Sequence, residues 1–266
     1  MPQKMIMDAP VSFAYYPTAL ISCVISSLLF QYCGKILAKY MNQFSKSPLH
    51  VQIELQTLFV SGVHAIIVSF SGLYVLLTDE RTMKDSVWGD CPQVRHTCAI
   101  VVGYLVSDFI IMIIYYKEVG GYFYFIHHLA SIYAYVYVIT FGVLEFFANF
   151  RLLAEFSTPF VNMRRFLEVE GYPKSSKQVL VNGFSMVIFF FVTRVAVIPP
   201  YYWMVYSIYG TPAYESIGHV QYVLVGSCAV LDILNVIWFF KMCRGAHKVL
   251  KSQKLRQNNI EDRKAA

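Results

Sequence analysis

The stretch VLEFFANFRLLAEFSTPFVNM, residues 143–163, decides how the whole chain is folded. It is long enough to cross a bilayer, yet Glu145, Asn149, Arg151, Glu155 and Asn162 interrupt it. A charged side chain at the bilayer centre costs about 3 kcal/mol if it faces lipid, so hydropathy alone argues against a crossing. The basic residues argue for one, because cytosolic links collect Lys and Arg and translocated links do not. The first link carries Lys39 and Lys46. The link after residue 163 carries Arg164, Arg165, Lys174 and Lys177, and the C-terminal part carries Lys241, Arg244, Lys248, Lys251, Lys254 and Arg256. By contrast, Arg81, Lys84 and Arg95 are balanced by Asp79, Glu80, Asp85 and Asp90, and residues 206–216 hold Glu215 and no base. These assignments are mutually consistent only if an odd number of crossings separates residues 79–95 from residues 164–177. Two clear apolar stretches lie between them, so residues 143–163 must supply the third.

Working outward, six further apolar stretches run over roughly 17–38, 55–77, 98–116, 122–141, 179–206 and 217–240. With 57% apolar and 14% charged residues in 266, the chain carries more apolar surface than one soluble core of this length hides. The expected fold class is all-α: a polytopic transmembrane bundle of about seven helices. Residues 1–44 form an N-terminal segment with the first helix, 45–245 the main membrane domain and 246–266 a basic tail, frayed or disordered. Only Lys4 precedes the first apolar stretch and no cleavage site follows it, so that helix is expected to be retained. Charge places the N-terminus in the lumen and the C-terminus in the cytosol. Pro199 and Pro200 predict a bent, overlong sixth helix. Trp88, Tyr201, Tyr202, Trp203, Tyr206 and Tyr209 suit an aromatic belt at the lumenal face.

The net charge of +6 follows from this topology and implies no nucleic-acid partner. The six cysteines include no C-x-x-C pair, so no metal site is indicated, and Cys91 with Cys98 is the one pair placed near a non-cytosolic surface.

Polar residues inside apolar helices belong against protein or a water-filled cavity. Thr57, Ser61, His64 and Ser71 share one face of the second helix. Tyr104, Asp108 and Tyr115 share one of the third, Arg151, Glu155, Thr158 and Asn162 one of the fifth, and Gln221, Cys228, Asp232 and Asn235 one of the seventh. Turning those stripes inward predicts a common polar chamber. The sharpest feature is the adjacent pair His127–His128 in an apolar helix, followed on the same side by Ser131 and Tyr135. Successive helical positions lie about 100° apart, so both rings can border one cavity. Imidazole serves as nucleophile or general base near neutral pH, with Glu155 or Asp108 to orient it. Hydrogen bonding between helices is the alternative role for the pair, and also for His64, Asp232 and Asn235. Arg151 and Glu155, four apart, suggest a buried ion pair, and Arg194 a snorkelling side chain.

Residues 45–245 resemble the TLC domain family, which includes ceramide synthases, translocation-associated TRAM proteins and lipid-homeostasis proteins. The resemblance is carried by Leu76 to Trp88, by Gly103-Tyr104 with Ser107-Asp108, and by His127-His128. It continues through Asn149, Arg151, Glu155, Ser157-Thr158-Pro159-Phe160 and Asn162, and through Asp232 and Asn235. It implies six helices in a barrel around a lipid tunnel, one preceding helix, and a place in the endoplasmic reticulum membrane. The ending Arg263-Lys264-Ala265-Ala266, similar to a dibasic retrieval signal, agrees with that place. The resemblance further implies membrane lipids as partners, no bound cofactor and acyl-CoA as co-substrate. His127, His128, Glu155 and Asp108 become the catalytic candidates. His64, Ser131, Tyr135, Asn149, Arg151, Thr158, Asn162, Asp232 and Asn235 become the tunnel lining. The synthases have a His-Asp and a further Asp where this chain has Ala154-Glu155 and Thr158, so one carboxylate of that motif is kept. A lipid-binding sensor, chaperone or cargo receptor is the alternative to an acyltransferase.

Overall fold

The computed structural model describes residues 11–265, and no strand occurs among them. The helices are α1 (Tyr16–Tyr40), α2 (Leu49–Thr78), the single-turn α3 (Arg81–Lys84), α4 (Pro92–Ile114), the single-turn α5 (Tyr116–Val119) and α6 (Tyr122–Phe141). They continue with α7 (Glu145–Leu152), α8 (Thr158–Val169), α9 (Lys177–Phe190), α10 (Ile198–Ile208), the short α11 (Pro212–Ser216) and α12 (Val220–Ala265). Proline at the first or second position opens α1, α4, α8, α10 and α11, where its missing N–H leaves no bond unmade. Ser176 caps α9 by accepting from the Val179 N–H. Gly142, at φ +60°, ends α6 in the left-handed conformation that glycine adopts without a Cβ penalty.

Among the described residues six helical runs are long and apolar enough to cross a membrane: α1, α2, α4, α6, Lys177–Ile208 and Val220–Val249. The seventh expected crossing, residues 143–163, is not one apolar helix but α7 and α8 joined by a 3-10 turn, Leu153–Ser157. Its path is fixed by bonds to α2. Asn149 Nδ2 donates to Gly72 O at 3.0 Å, Asn162 Nδ2 donates to Leu58 O at 2.9 Å, and Arg165 Nη2 meets Glu54 Oε2 at 2.7 Å. Residue numbers rise on one strand of these contacts as they fall on the other, so α7–α8 runs antiparallel to α2. At 1.5 Å per residue the contacts cover about 25 Å, most of a hydrocarbon core. The broken helix thus carries the chain from one end of the bundle to the other.

The sixth stretch is overlong, 32 residues from Lys177 to Ile208, and its regular α-helix is interrupted. The interruption is a π-helical turn, Phe191–Val195, upstream of the prolines. Helix α12 continues as helix to Ala265, past the expected boundary at 245/246. Lys4 and Ala266 lie outside the described residues, as do the side chains of Lys254, Arg256, Arg263 and Lys264. The six cysteines are reduced, Cys91 and Cys98 included.

Around the bundle α2 packs on α4, α4 on α6, α6 on α12, α12 on the π turn and α9, α9 on α8, and α8 on α2. The ring closes with six members. Helix α1 lies outside it against α4 and α2, and Gly103 makes that approach possible: a Cβ there would strike Ala19 O and Ser22 Cβ. One end of the ring holds Arg81, Lys84 and Arg95 among Asp79, Glu80, Asp85, Asp90, Glu145 and Glu215. The other holds Lys39, Lys46, Lys117, Arg164, Arg165, Lys174, Lys177 and Lys241. At the acidic end the fully buried Glu145 accepts from the Cys91 N–H at 2.6 Å and docks the start of α7 on the start of α4.

Candidate functional site

The polar stripes do face inward, and the ring gathers them into a series of linked clusters. On α2 and α4, His64 stacks on Tyr104 with ring centroids 3.9 Å apart, and Ser71 bonds Thr97 at 2.7 Å. Tyr115 departs from its expected stripe and packs against Phe30 of α1, outside the chamber, because α4 ends at Ile114.

Asp108 of α4 reaches across to α6, where its Oδ2 lies 2.8 Å from His128 Nε2. The other nitrogen, Nδ1, lies 2.9 Å from the Tyr124 carbonyl oxygen. A carbonyl only accepts, so Nδ1 carries the hydrogen, and a single proton is held between Nε2 and the Asp108 carboxyl group. Both nitrogens of His128 are thereby engaged. His127 is different. Its ring stands 5.6 Å from the His128 ring and 5.6 Å from Trp238 of α12, and its buried Nδ1 has no hydrogen-bond partner. Buried polar atoms are nearly always paired, so an unpaired imidazole nitrogen beside a carboxyl–imidazole dyad requires an explanation.

The next cluster centres on Arg194, 7% exposed on the π turn. It donates to Ala154 O at 3.0 Å, Ser157 Oγ at 2.8 Å, Thr158 Oγ1 at 2.8 Å, Glu155 Oε1 at 3.2 Å and Asn235 Oδ1 at 3.4 Å. Arg194 therefore does not snorkel; it holds α9 to the 3-10 turn and to α12. Glu155, expected either to orient a histidine or to pair with Arg151, is bound instead by Arg194 and by Thr158 at 2.7 Å. Arg151 pairs with Asp232 at 2.7 Å and lies over the Tyr201 ring at 4.5 Å. The 3-10 turn explains both corrections: it advances 120° per residue rather than 100°, so residues four apart across it no longer share a face.

Asn149 and Asn162 clamp α7–α8 to carbonyls of α2 through their Nδ2 groups, while the buried Oδ1 of Asn149 has no partner. Ser131 is buried on α6. Tyr135 and Arg151 border an internal cavity of about 60 Å³, together with Phe147, Tyr201, Ser227 and Cys228. That volume holds a few waters rather than an acyl chain. Arg194 is the residue that sequence reasoning misplaced, since nothing in its apolar neighbours signals a π turn. Trp238, against His127, went unmarked because an indole in an apolar helix is ordinary. No group of three or more His, Cys, Asp or Glu suited to a metal ion occurs among the described residues.

A closed ring of helices, crossing a bilayer and enclosing a histidine pair, one ring of which forms a carboxyl–imidazole dyad with Asp108, and two arginine-centred ion pairs, is a polytopic membrane protein with a polar interior. The TLC domain model matches residues 54–244, which takes in all six ring members, and the chain belongs to the TLC domain family. It is 42% identical over 231 residues to TLC domain-containing protein 4-A of Xenopus laevis, covering 85% of this chain and 90% of that one. With TLC domain-containing protein 4 of Homo sapiens it shares 42% over 230 residues, 85% and 88% of the two chains. TLC domain-containing protein 4 A of Dictyostelium discoideum is 27% identical over 252 residues, 92% and 91%.

Proposed function

We propose that the protein acts in lipid homeostasis in the endoplasmic reticulum membrane, as an acyltransferase that draws an acyl group from acyl-CoA through His127 to a lipid acceptor. The observation that carries this reading is the unpartnered His127 nitrogen beside the Asp108–His128 dyad. An imidazole nitrogen without a hydrogen attacks the thioester carbonyl; the new C–N bond forms, the C–S bond breaks, and the thiolate takes up a proton. The proton held between His128 and Asp108 is the nearest source for it. An amine or hydroxyl of the acceptor then attacks the acyl-imidazole, the C–N bond breaks, and the acceptor's proton returns to the dyad. Arg194 neutralises Glu155 and braces the chamber wall, so Glu155 is a positioning residue in this scheme. The basic end of the ring faces the cytosol, where acyl-CoA is available, and the N-terminus lies in the lumen.

A second reading is favoured by one observation. The internal cavity of about 60 Å³ is far smaller than a lipid chain, as in a protein that opens only to bind and sense its lipid. The two readings separate in a transfer assay on the protein in nanodiscs, with labelled long-chain acyl-CoA and a mixed lipid extract as acceptor. Acyl transfer that falls by about 10²-fold or more in both His127→Ala and Asp108→Asn supports catalysis. Absence of acyl-CoA-dependent product, with lipid still copurifying, replaces it by the binding reading.

A further inference from the structure

Separate from the chamber, an apolar groove lies on the outer surface of the ring. Between α8 and α9 an open groove of about 470 Å³ is lined by Phe160, Met163, Leu167, Lys177, Val181 and Ser185, with Gln178 and Asn182 completing it. That volume is in the range of sites that hold a small molecule. The groove is built rather than incidental. Asn182 Nδ2 donates to Phe160 O at 3.0 Å and ties the two helices together at its floor. Phe160 stacks on Phe189 of α9, centroids 4.7 Å apart, and ends the packing gap toward the bilayer centre. Lys177, the first residue of α9, stands at the opposite mouth.

The position of the groove determines its occupant. Met163 and Val181 on its rim are 47% and 56% exposed, and both helices belong to the membrane-crossing ring, so what covers this apolar surface is hydrocarbon. Its mouth opens at the basic end of the bundle, where Lys174 and Lys177 are exposed and form no ion pair among the described residues. Arg164 and Arg165, nearby on α8, are already matched to Glu168 and Glu54. Apolar walls ending in unmatched ammonium groups at headgroup depth complement one ligand chemistry: an apolar chain attached to an anion. From Lys177 to Ser185 the groove runs about 12 Å along α9, enough for the upper part of an acyl chain.

We infer that the α8–α9 groove is a binding site for an anionic glycerophospholipid of the leaflet at the basic end, its acyl chain along Met163, Val181 and Ser185 and its phosphate at Lys177. The inference does not depend on any chemistry at His127. It is tested with the full chain in nanodiscs containing a photoactivatable phosphatidylserine with a diazirine in its acyl chain, compared with the matching phosphatidylcholine, and with cross-links mapped by peptide mass spectrometry. The expected result is phosphatidylserine labelling concentrated on residues 160–185, about fivefold above phosphatidylcholine there. In Lys177→Glu, an exposed position whose change leaves the fold intact, that preference is lost. In Val181→Trp, which fills the groove from its rim, labelling by both lipids falls while elution and thermal stability stay those of the parent protein. Labelling spread evenly around the ring, equal labelling by the two lipids, or cross-links to a second copy of the chain in place of lipid would each overturn it.

Discussion

Replacing Arg194 by Met removes the guanidinium that five groups share. Four of them, Ala154 O, Ser157, Glu155 and Thr158, lie on or beside the 3-10 turn, and the fifth is Asn235 of α12. The methionine fills most of the volume, so the loss is electrostatic rather than a cavity. Breaking a buried pair by deleting one partner costs about 3–5 kcal/mol, because the other charge is left without compensation. The Arg194 side chain is 9% exposed and that of Glu155 25%, which favours the lower half of that range. For a chain of this size about 3 kcal/mol corresponds to a fall of roughly 10 °C in Tm, measured in nanodiscs by intrinsic fluorescence. The second change is the discriminating one. Glu155→Gln alone leaves Arg194 unmatched and is also destabilising, but added to Arg194→Met it removes the orphaned charge. The double variant is therefore expected to be more stable than the sum of the single losses by about 1–3 kcal/mol. Arg194→Lys, keeping charge but not the planar fork, falls between. A loss below about 1 kcal/mol in Arg194→Met, or strict additivity in the double variant, would refute the brace and return Arg194 to the membrane surface.

Gly103→Ala pushes α1 off α4 against Ala19 and Ser22 and should cost about 1–3 kcal/mol, read as a lower Tm, whereas Gly226→Ala, with nothing within 4 Å of the added carbon, should be neutral or slightly stabilising. Asn149→Ala removes the bond to the Gly72 carbonyl and Asn162→Ala the bond to the Leu58 carbonyl, each carbonyl keeping its partner within α2; each is expected to lower stability by about 1 kcal/mol and to loosen α7–α8, seen as faster hydrogen exchange over residues 145–169. Single cysteines introduced at Lys84 and Ser175, separated by α4, α6 and α7–α8, should be labelled from opposite faces of the membrane by an impermeant thiol reagent; labelling from the same face would remove the crossing made by α7–α8.

The straight helices were the legible ones. Because α2, α4 and α12 keep 100° per residue through their centres, the sequence phases of His64, Tyr104, Asp108, Asp232 and Asn235 carried over into real contacts. The basic links, likewise, reported a crossing that hydropathy opposed, and the antiparallel bonds to α2 supply its geometry. Reasoning from spacing failed where the backbone leaves the α-helix. The 3-10 turn separated Arg151 from Glu155 and sent each to a distant partner, and the π turn buried Arg194 in a segment whose composition reads as lipid-facing. Asn149 and Asn162, polar and inward by phase, turned out to serve main-chain carbonyls, a distinction that side-chain periodicity does not contain. The width of the chamber depends on how neighbouring helices interdigitate, which no pattern along a single chain records.

In the proposed transfer His127 carries the acyl group. The most direct test is intact mass spectrometry of the purified protein after incubation with long-chain acyl-CoA, beside His127→Ala and His128→Ala. The expected result is an adduct of one acyl group on the parent chain, mapped to His127, absent from His127→Ala and slowed in His128→Ala, where the nucleophile remains but the proton relay is gone. No adduct on the parent chain, or one that persists undiminished in His127→Ala, would contradict it.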